Sequence, residues 1–415
     1  MTAPIVVVGG GLAAGTAVTT LREEGYDGDV VLFAEEPHPP YERPPLSKAY
    51  LMGKQPAEKA LVHERSWYAD NGVDLRTTTP VTRIDPDAHT VRAGDADTGY
   101  ARLLLATGAI PRRLGMVDDS GVPATYLRTL EDSTALRDRL HPGRRIAIIG
   151  GGWIGLEVAA AAREAGAEVV VLEALDLPLL RVLGSEVATS FASLHREHGV
   201  DLRTGVGVES IEPHGSGVRL GLADGDTLDA DHLVVGVGVS PSTQLAEAAG
   251  LDVAGSDAGG GILVDSGLRT SAPDVFAAGD VANVDHPVLG RRLRVEHWDT
   301  ALQHGKVAGT NLAGGEAAAD ALPYFFTDQY DLGMEYVGNA GPDDYDRVVV
   351  RGNLDGDRVF SAFWLSGHRV LAGMHANDWD AIDPIRALVG SSVDPDRLAD
   401  QAVALADVPD GAAQE

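Results

Sequence analysis

Short, uninterrupted runs of Val, Ile and Leu recur through the first three quarters of the chain and alternate with longer, Ala-rich stretches. Such runs are typical of parallel strands that are covered on both faces of a sheet. The Ala-rich stretches between them predict helices. The predicted strands are Ile5–Val8, Val30–Phe33, Leu103–Ala106, Ile146–Ile149, Glu168–Leu172, Leu233–Val237 and Val275–Ala277.

After about residue 320 the pattern changes to strands separated by tight turns. Arg347–Arg351, Arg358–Leu365 and Arg369–His375 predict antiparallel strands, because the pairs Asp355-Gly356 and Ser366-Gly367 between them favour hairpin turns. The chain is therefore an α/β protein whose last part is an α+β domain with an antiparallel sheet.

Two segments repeat one pattern of strand, glycine-rich turn, helix and strand. The first starts at Ile5 and ends at Glu35, and the second starts at Ile146 and ends at Glu173. Each has the length of about 30 residues that a βαβ unit needs. The repeat predicts two Rossmann-like units in one chain.

The glycine-rich turns of both segments have the spacing of a dinucleotide-binding turn. The first glycine allows the tight turn, the second lets a pyrophosphate approach the backbone, and the third position needs a small residue where helix meets strand. The phosphates then lie at the helix N-terminus. These positions are Gly9, Gly11 and Ala14 in the first segment and Gly150, Gly152 and Gly155 in the second.

Glu173, at the end of the second segment, bears on the choice of cofactor. A carboxylate there bonds the 2′-hydroxyl of NAD and repels the 2′-phosphate of NADP, whose sites usually hold an arginine. Ala174 and Leu175 follow, so the sequence favours NADH. The alternative is that Glu173 is only a solvated strand end.

Composition narrows the chemistry. The 415 residues contain no cysteine, so no disulfide or cysteine-ligated cluster can carry electrons, and redox chemistry needs a bound cofactor. The net charge of −29 argues against a nucleic-acid partner. No apolar stretch approaches the roughly 18–20 residues of a membrane span, and we expect a cytoplasmic protein without a membrane partner.

Histidine spacing does not predict a metal site. His195 and His198 are three residues apart on a predicted helix, but no third ligand lies near them in the sequence. A solvated helix face is the interpretation that we favour.

Further motifs cover nearly the whole chain and resemble those of one family. That family is the FAD-dependent NADH:ferredoxin reductases of oxygenase and cytochrome P450 systems, of the putidaredoxin reductase and biphenyl dioxygenase ferredoxin reductase type. The motifs are Tyr41-Glu42-Arg43-Pro44-Pro45-Leu46-Ser47-Lys48, Ala106-Thr107-Gly108, Trp153-Ile154-Gly155-Leu156-Glu157, Thr270 to Asp280, Asp328-Gln329-Tyr330 and Leu371-Ala372-Gly373-Met374.

The resemblance implies a glutathione-reductase-like fold with two Rossmann-like nucleotide-binding domains and a C-terminal α+β domain. Residues 1–111 and 237–315 would form the FAD-binding domain, residues 112–236 the NAD-binding domain, and residues 316–415 the C-terminal interface domain.

It also implies which residues hold the cofactors. Asp280 would reach the ribityl hydroxyls of FAD, or cap a helix, and Arg43 would neutralise the pyrophosphate, or lie on the surface. Trp298, at the start of an apparent helix, would place that helix N-terminus at the flavin, or lie in a domain interface. The implied FAD contacts are Ala13, Glu35, Arg43, Lys48, Val81, Ala106, Thr107, Gly108, Arg128, Gly279, Asp280 and Trp298, and Ile154 and Gly238 complete the NAD site.

Lys48 and Glu157 are the candidate catalytic pair. Lys48 is one of only four lysines and lies in an apolar, Pro-rich loop, and Glu157 lies early in the second cofactor's helix. Without the resemblance, two unrelated surface charges would be the simpler interpretation. With it, we expect a buried or half-buried pair at the flavin.

The implied activity is electron transfer from NADH through FAD to a [2Fe–2S] ferredoxin, by a monomer or homodimer. Other acceptors for the same fold are rubredoxin, a quinone, monodehydroascorbate and oxygen. A non-catalytic protein resembling apoptosis-inducing factor is a third hypothesis. Arg291, Arg292 and Arg294 form the densest basic cluster, which is either a docking patch for the ferredoxin or a solvated hairpin.

Overall fold

The computed structural model describes residues 3–409, which divide into two compact units. The first unit holds the described residues up to Pro45 together with Pro56–Ile110 and Val239–Leu322. The second holds Leu46–Gln55, Pro111–Gly238 and the described residues from Pro323 onward.

The first unit is built on a five-stranded parallel sheet in which every strand except the edge strand Val73–Arg76 is largely buried. In spatial order its strands are Val275–Ala277, Arg102–Leu105, Ile5–Val8, Val30–Phe33 and Val73–Arg76. Smaller sheets pair Val81–Asp85, Thr90–Ala93 and Ala96–Gly99, then Ile262–Val264, Ala282–His286 and Arg291–Leu293, and Ala109–Pro111 with Val239–Pro241.

The first unit contains the helices Leu12–Glu23, Arg65–Asp70, Gln244–Ala248 and Trp298–Leu312. Short 3₁₀ turns lie at Ala57–Ala60, Ser256–Ala258 and Gly279–Val281. In the order used below, the helices of the whole chain are α1 Leu12–Glu23, α2 Arg65–Asp70, α3 Gly115–Ser120, α4 Leu130–Arg137, α5 Trp153–Glu164, α6 Leu180–Glu197, α7 Gln244–Ala248, α8 Trp298–Leu312, α9 Ile382–Leu388 and α10 Pro395–Ala399.

The second unit contains a second parallel sheet and the antiparallel sheet. The parallel sheet has the order Asp201–Thr204, Glu168–Glu173, Arg145–Ile149, His232–Val235 and Ala124–Thr125. A three-stranded sheet of Val208–His214, Gly217–Leu222 and Thr227–Ala230 shares one apolar cluster with side chains of the parallel sheet. The antiparallel sheet has the order Tyr324–Gln329, Leu332–Gly338, Arg369–Ala376, Phe360–Ser366 and Arg347–Gly352.

The segment Leu46–Gln55 packs in the second unit although the chain on both sides of it belongs to the first. Leu51 is buried in one apolar cluster with Leu136 and Ile146. The hydroxyl of Ser133, on α4, donates to the carbonyl of Leu46 at 2.7 Å. This excursion places the Ser47-Lys48 end of the Pro-rich loop against α5.

The predicted strand and helix pattern is confirmed closely in both Rossmann-like segments. Ile5–Val8, Val30–Phe33 and Val275–Ala277 have the predicted bounds, and the other parallel strands differ by one or two residues. Two strands of the antiparallel sheet were not predicted, Tyr324–Gln329 and Leu332–Gly338.

Two glycines of α8 bring that helix into close contact with α1. A Cβ atom on Gly305 would lie 2.6 Å from Thr16 Cβ, and one on Gly309 would lie 2.6 Å from the carbonyl oxygen of Ala17. The two helices therefore pack at a distance that only glycine allows at these positions.

We expect Gly309→Ala to destabilise the protein. Alanine favours helix by about 1 kcal/mol, but its Cβ would overlap a backbone oxygen that cannot rotate away, and overpacking of this kind costs on the order of 1–3 kcal/mol. Thermal unfolding measures the change. Gly115→Ala in α3 is the control, since a Cβ there meets no atom within 4 Å. Equal midpoints for the two variants would contradict the close packing.

Candidate active site

The first glycine turn can be made only by glycine at its first position. Gly9 has φ = +140°, and a Cβ there would lie 2.1 Å from the carbonyl oxygen of Ala106. The turn therefore lies directly against the end of the neighbouring strand, Arg102–Leu105. This contact brings the predicted residues Ala106, Thr107 and Gly108 to the start of α1.

The N-terminus of α1 has the features of a phosphate site. Gly11 is its N-cap, no side chain caps the helix, and its first turn holds no acidic residue. A Cβ on Gly11 would meet no atom within 4 Å, so the space in front of the first N–H groups is open. Ala13 and Ala14 are buried beneath it. These residues fit a pyrophosphate approaching the backbone, which is the requirement for FAD.

Gly279 and Asp280 lie beside the same helix start. Gly279 has φ = +77°, and a Cβ there would lie 3.0 Å from Ala13 Cβ. Its N–H donates to Nδ1 of His304, on α8, at 3.3 Å. Burial lowers the pKa of His304 to about 4, so this imidazole is neutral near pH 7 and Nδ1 can accept.

Arg43 is fixed in a small polar cluster at the end of the second strand. It donates to Glu36 Oε1 at 2.9 Å and to the Tyr41 hydroxyl at 3.1 Å. Burial by itself lowers the pKa of Arg43, but Tyr41 and the carboxylate of Glu36 outweigh it, with a smaller contribution from Asp280, and the pKa is raised. Glu35, by contrast, is exposed at the strand end.

The other predicted FAD contacts fall in three places. Val81 begins a strand and packs against the core of the first unit. Trp298 is the first residue of α8, whose N-cap His297 accepts from the N–H of Asp299. Arg128 is half-buried next to the capped N-terminus of α4, in the second unit.

The second glycine turn repeats the geometry of the first. Gly150 has φ = +106°, and a Cβ there would lie 2.4 Å from the carbonyl oxygen of Gly236. A Cβ on Gly155 would lie 2.1 Å from the carbonyl oxygen of Gly150. Gly152 caps α5 without any side-chain hydrogen bond, and the first turn of α5 holds no acidic residue. A second uncapped helix N-terminus therefore fits a dinucleotide, as NAD requires.

Both carboxylate oxygens of Glu173 accept backbone N–H groups, and one of these groups belongs to the glycine turn. Oε2 accepts from the N–H of Gly151 at 2.7 Å, and Oε1 accepts from the N–H of Leu175 at 2.8 Å. Gly238, with φ = +97°, follows the neighbouring strand, and Ile154 is exposed in the first turn of α5. Glu173 and the glycines of the turn are thus in direct contact, and Gly238 follows the strand whose end packs against Gly150.

Lys48 and Glu157 form an ion pair. Lys48 Nζ lies 2.6 Å from Glu157 Oε1, and the side chains are 15% and 5% exposed. Ser47 donates to Glu157 Oε2 at 2.5 Å, and Thr327 donates to Oε1 at 2.7 Å. The carboxylate is therefore held by one cation and two hydroxyls, which is the arrangement that a buried charge requires.

Asp328 interacts electrostatically with Lys48. Its pKa is raised chiefly by burial, Lys48 opposes the rise, and Glu157 and Glu335 add to it. Lys48 Nζ also lies 5.4 Å from the ring centre of Phe326. Lys48 is thus the cation within a group of acidic and aromatic side chains.

Sequence reasoning missed Ser47 and Thr327 as partners of Glu157. Both lie in or beside motifs that carried the resemblance: Ser47 precedes Lys48, and Thr327 precedes Asp328-Gln329-Tyr330. Position within those motifs was the available signal, since a lone hydroxyl residue carries none.

The prediction that His195 and His198 share a solvated helix face is wrong for His195. The His195 side chain is fully buried, and burial lowers its pKa to about 4. Its Nε2 lies 2.8 Å from Gln329 Oε1, because the unpredicted strand Tyr324–Gln329 covers this face of α6.

Within residues 3–409 no group of three His, Asp or Glu side chains could hold a metal ion.

The basic cluster is largely used inside the fold. The Arg294 side chain is 9% exposed and donates to the carbonyls of Gly259 and Asp280. Arg292 donates to two carbonyls of neighbouring strands. These contacts hold Arg294 inside the hairpin, whereas Arg292 keeps an exposed surface. No helix among the described residues is long and apolar enough to cross a bilayer.

Comparison with known proteins agrees with this geometry. The family model for pyridine nucleotide-disulphide oxidoreductases matches residues 3–305, and a reductase C-terminal model matches residues 324–408.

Two curated relatives match almost end to end. The anthranilate 1,2-dioxygenase system ferredoxin–NAD(+) reductase component of Burkholderia cepacia is 39% identical, covering 97% of this chain and 98% of its own. Putidaredoxin reductase of Pseudomonas putida is 36% identical, covering 97% and 96%. A solved covalent putidaredoxin reductase–putidaredoxin complex is similar with a TM-score of 0.91 at 36% identity, covering 98% and 97% of the two chains. The chain therefore belongs to the ferredoxin–NAD(+) reductases of the pyridine nucleotide-disulphide oxidoreductase family.

Proposed function

We propose that the chain passes electrons from NADH, through FAD, to a cytoplasmic [2Fe–2S] ferredoxin that serves a cytochrome P450 or Rieske oxygenase. As a member of its family the chain is an oxidoreductase that uses FAD and NAD(H). The observation that carries the proposal is the presence of two uncapped helix N-termini behind glycine turns in one chain. FAD accepts two electrons together and can release them singly, which suits an iron–sulfur acceptor.

In the first unit, the backbone around Gly9 and Gly11 would hold the FAD pyrophosphate. The raised pKa of Arg43 keeps its guanidinium charged to offset the phosphates. Asp280 would bond the ribityl hydroxyls. Ala106, Thr107 and Gly108 would line the strand end, where Thr107 is fixed by its hydrogen bond to the Ser242 carbonyl at 2.9 Å.

In the second unit, the N-terminus of α5 would hold the pyrophosphate of NADH. Glu173 would accept from the adenosine ribose hydroxyls with the lone pairs that Gly151 and Leu175 leave open. Because Glu173 is anchored by two backbone N–H groups, its charge would stay in place against the 2′-phosphate of NADPH.

The Lys48–Glu157 pair would act on hydride transfer. The Lys48 ammonium would favour electron density arriving on the flavin, and Glu157 would fix its position. The donor and acceptor atoms of the pair are already at hydrogen-bond distance, so no rearrangement is needed to form it.

Replacement of Glu173 tests the cofactor choice. We expect Glu173→Ala to narrow the preference for NADH over NADPH, and Glu173→Arg to narrow it further or reverse it, because the repelling carboxylate is lost. The measurement is kcat/KM for both cofactors with a small dye acceptor. Glu168→Ala, an exposed residue at the start of the same strand, is the control. Equal kcat/KM for both cofactors in the unmodified protein would contradict the assignment.

Replacement of Lys48 tests the ion pair. We expect Lys48→Met to slow the reduction of bound FAD by NADH by on the order of tenfold or more, with FAD content unchanged. Stopped-flow absorbance measures the rate. Lys54→Met is a matched control, since Lys54 pairs with Glu164 of the same helix while 60% exposed. Identical rates in the two variants would rule out a role for Lys48 in hydride transfer.

The acceptor is tested by steady-state NADH oxidation against a panel of small iron–sulfur proteins, with rubredoxin, a quinone and oxygen in parallel. We expect saturable turnover with at least one [2Fe–2S] ferredoxin at a higher kcat/KM than with the other acceptors. Reduction of ferricyanide shows that the flavin is active in each preparation. Turnover with rubredoxin or a quinone alone would overturn the proposed acceptor while leaving the NADH and FAD sites standing.

A further inference from the structure

A line of buried side chains continues from the Glu157 carboxylate into the second unit. Thr327 Oγ1 lies 2.7 Å from Glu157 Oε1, and Gln329 Nε2 lies 3.2 Å from Thr327 Oγ1. Gln329 Oε1 lies 2.8 Å from His195 Nε2. At the far end, His195 Nδ1 lies 3.5 Å from the hydroxyl of Tyr330. Thr327, Gln329 and His195 are each at most 1% exposed.

The carboxylate dictates the direction of every bond in this line. An ionised carboxylate only accepts, so the Thr327 hydroxyl must donate to it. The Thr327 oxygen is then left to accept from the amide NH₂ of Gln329, which turns the Gln329 carbonyl oxygen toward His195. That oxygen also only accepts, so His195 must carry its proton on Nε2.

The second ring nitrogen of His195, Nδ1, is also consistent with hydrogen bonds that all donate toward Glu157. With the proton on Nε2, Nδ1 is an acceptor and faces the Tyr330 hydroxyl, which can donate to it. Burial lowers the pKa of His195 to about 4, and Gln329 and His198 are the other groups that act on it. A neutral imidazole has one N–H and one acceptor, which is what the line needs.

We propose that Thr327, Gln329 and His195 are positioning residues that hold the Glu157 carboxylate aimed at Lys48 through hydrogen bonds that all donate toward it. The inference rests on the proposed role of the Lys48–Glu157 pair. It adds three residues, two of them outside any hydrogen-bond distance of the pair, to the machinery of the reaction.

The line positions a charge and does not conduct protons. A neutral side-chain amide such as that of Gln329 has no readily exchanged proton to pass on, so a relay would stop there. Hydrogen bonds that point the same way polarise one another, and in a dry interior this strengthens the last bond, which Thr327 gives to the carboxylate. Lys48 and Thr327 share Oε1, while Ser47 holds Oε2, so rotation of the carboxylate would break a bond on each side.

The tautomer of His195 is the first test, and it does not depend on turnover. In the FAD-loaded protein at pH 7, ¹⁵N NMR of labelled histidines should show His195 neutral with its proton on Nε2. His195→Asn identifies the signal by its disappearance. A proton on Nδ1 alone would overturn the proposal, because His195 could then no longer donate to Gln329. An imidazolium would also overturn it, because Nδ1 could then no longer accept from Tyr330.

Removal of the Thr327 hydroxyl is the second test. Thr327→Val keeps the shape of the side chain, and we expect NADH to reduce the bound FAD about tenfold more slowly, as for loss of one hydrogen bond to a charged group, with little change in the NADH concentration for half-saturation. Thr327→Ser restores the hydroxyl and should recover the rate to within about twofold of wild type.

Thr125→Val is the matched control, since Thr125 lies 2.8 Å from Nε2 of another buried histidine, His232, in the same unit. Equal reduction rates for Thr327→Val and Thr125→Val would overturn the proposal. If Thr327→Val does not fold, the tautomer of His195 in wild type decides alone.

The outcomes separate this proposal from the proposed function. If His195 is the Nε2–H tautomer but the protein reduces no ferredoxin, the proposed acceptor is wrong and the positioning role stands. If the protein reduces a ferredoxin but His195 is the Nδ1–H tautomer, the positioning role is wrong and the proposed acceptor stands.

Discussion

The buried carboxylate of Glu157 is the interaction on which the candidate active site depends. It joins three parts of the chain that are more than one hundred residues apart: the Ser47-Lys48 end of the Pro-rich loop, α5, and the strand Tyr324–Gln329. Removing one partner of a buried ion pair typically costs roughly 3–5 kcal/mol. The segment Leu46–Gln55, which packs in the second unit, therefore supplies two partners that this carboxylate needs: the cation of Lys48 and the hydroxyl of Ser47.

Local chemistry explains why the glycine turns could be predicted and the Glu157 contacts could not. Gly9 and Gly150 have backbone conformations and close approaches that only glycine tolerates, so their positions are visible in the sequence itself. The partners of Glu157 are ordinary lysine, serine and threonine residues brought together by long-range packing. Lys48 was identified only through resemblance to a family, and its role at the flavin stays a prediction.

The strand Tyr324–Gln329 was missed for a related reason. Its buried positions include Thr327 and Gln329, so the alternation of apolar and polar residues that marks a half-buried strand is absent there. Missing it led to the wrong prediction for His195, because this strand is what covers that face of α6. Buried polar residues of a site therefore remove the sequence pattern by which the strand that carries them would be recognised.

The antiparallel sheet is also a constraint on how such proteins can be recombined. Thr327, Gln329 and Tyr330 belong to the C-terminal region matched separately at residues 324–408, but their hydrogen-bond partners Glu157 and His195 belong to α5 and α6. A chimera that exchanged this region between relatives would preserve each fold and still break the line unless both helices matched it. The hydrogen bonds of the line thus cross the boundary between the two family models. The C-terminal region must therefore be inherited together with α5 and α6.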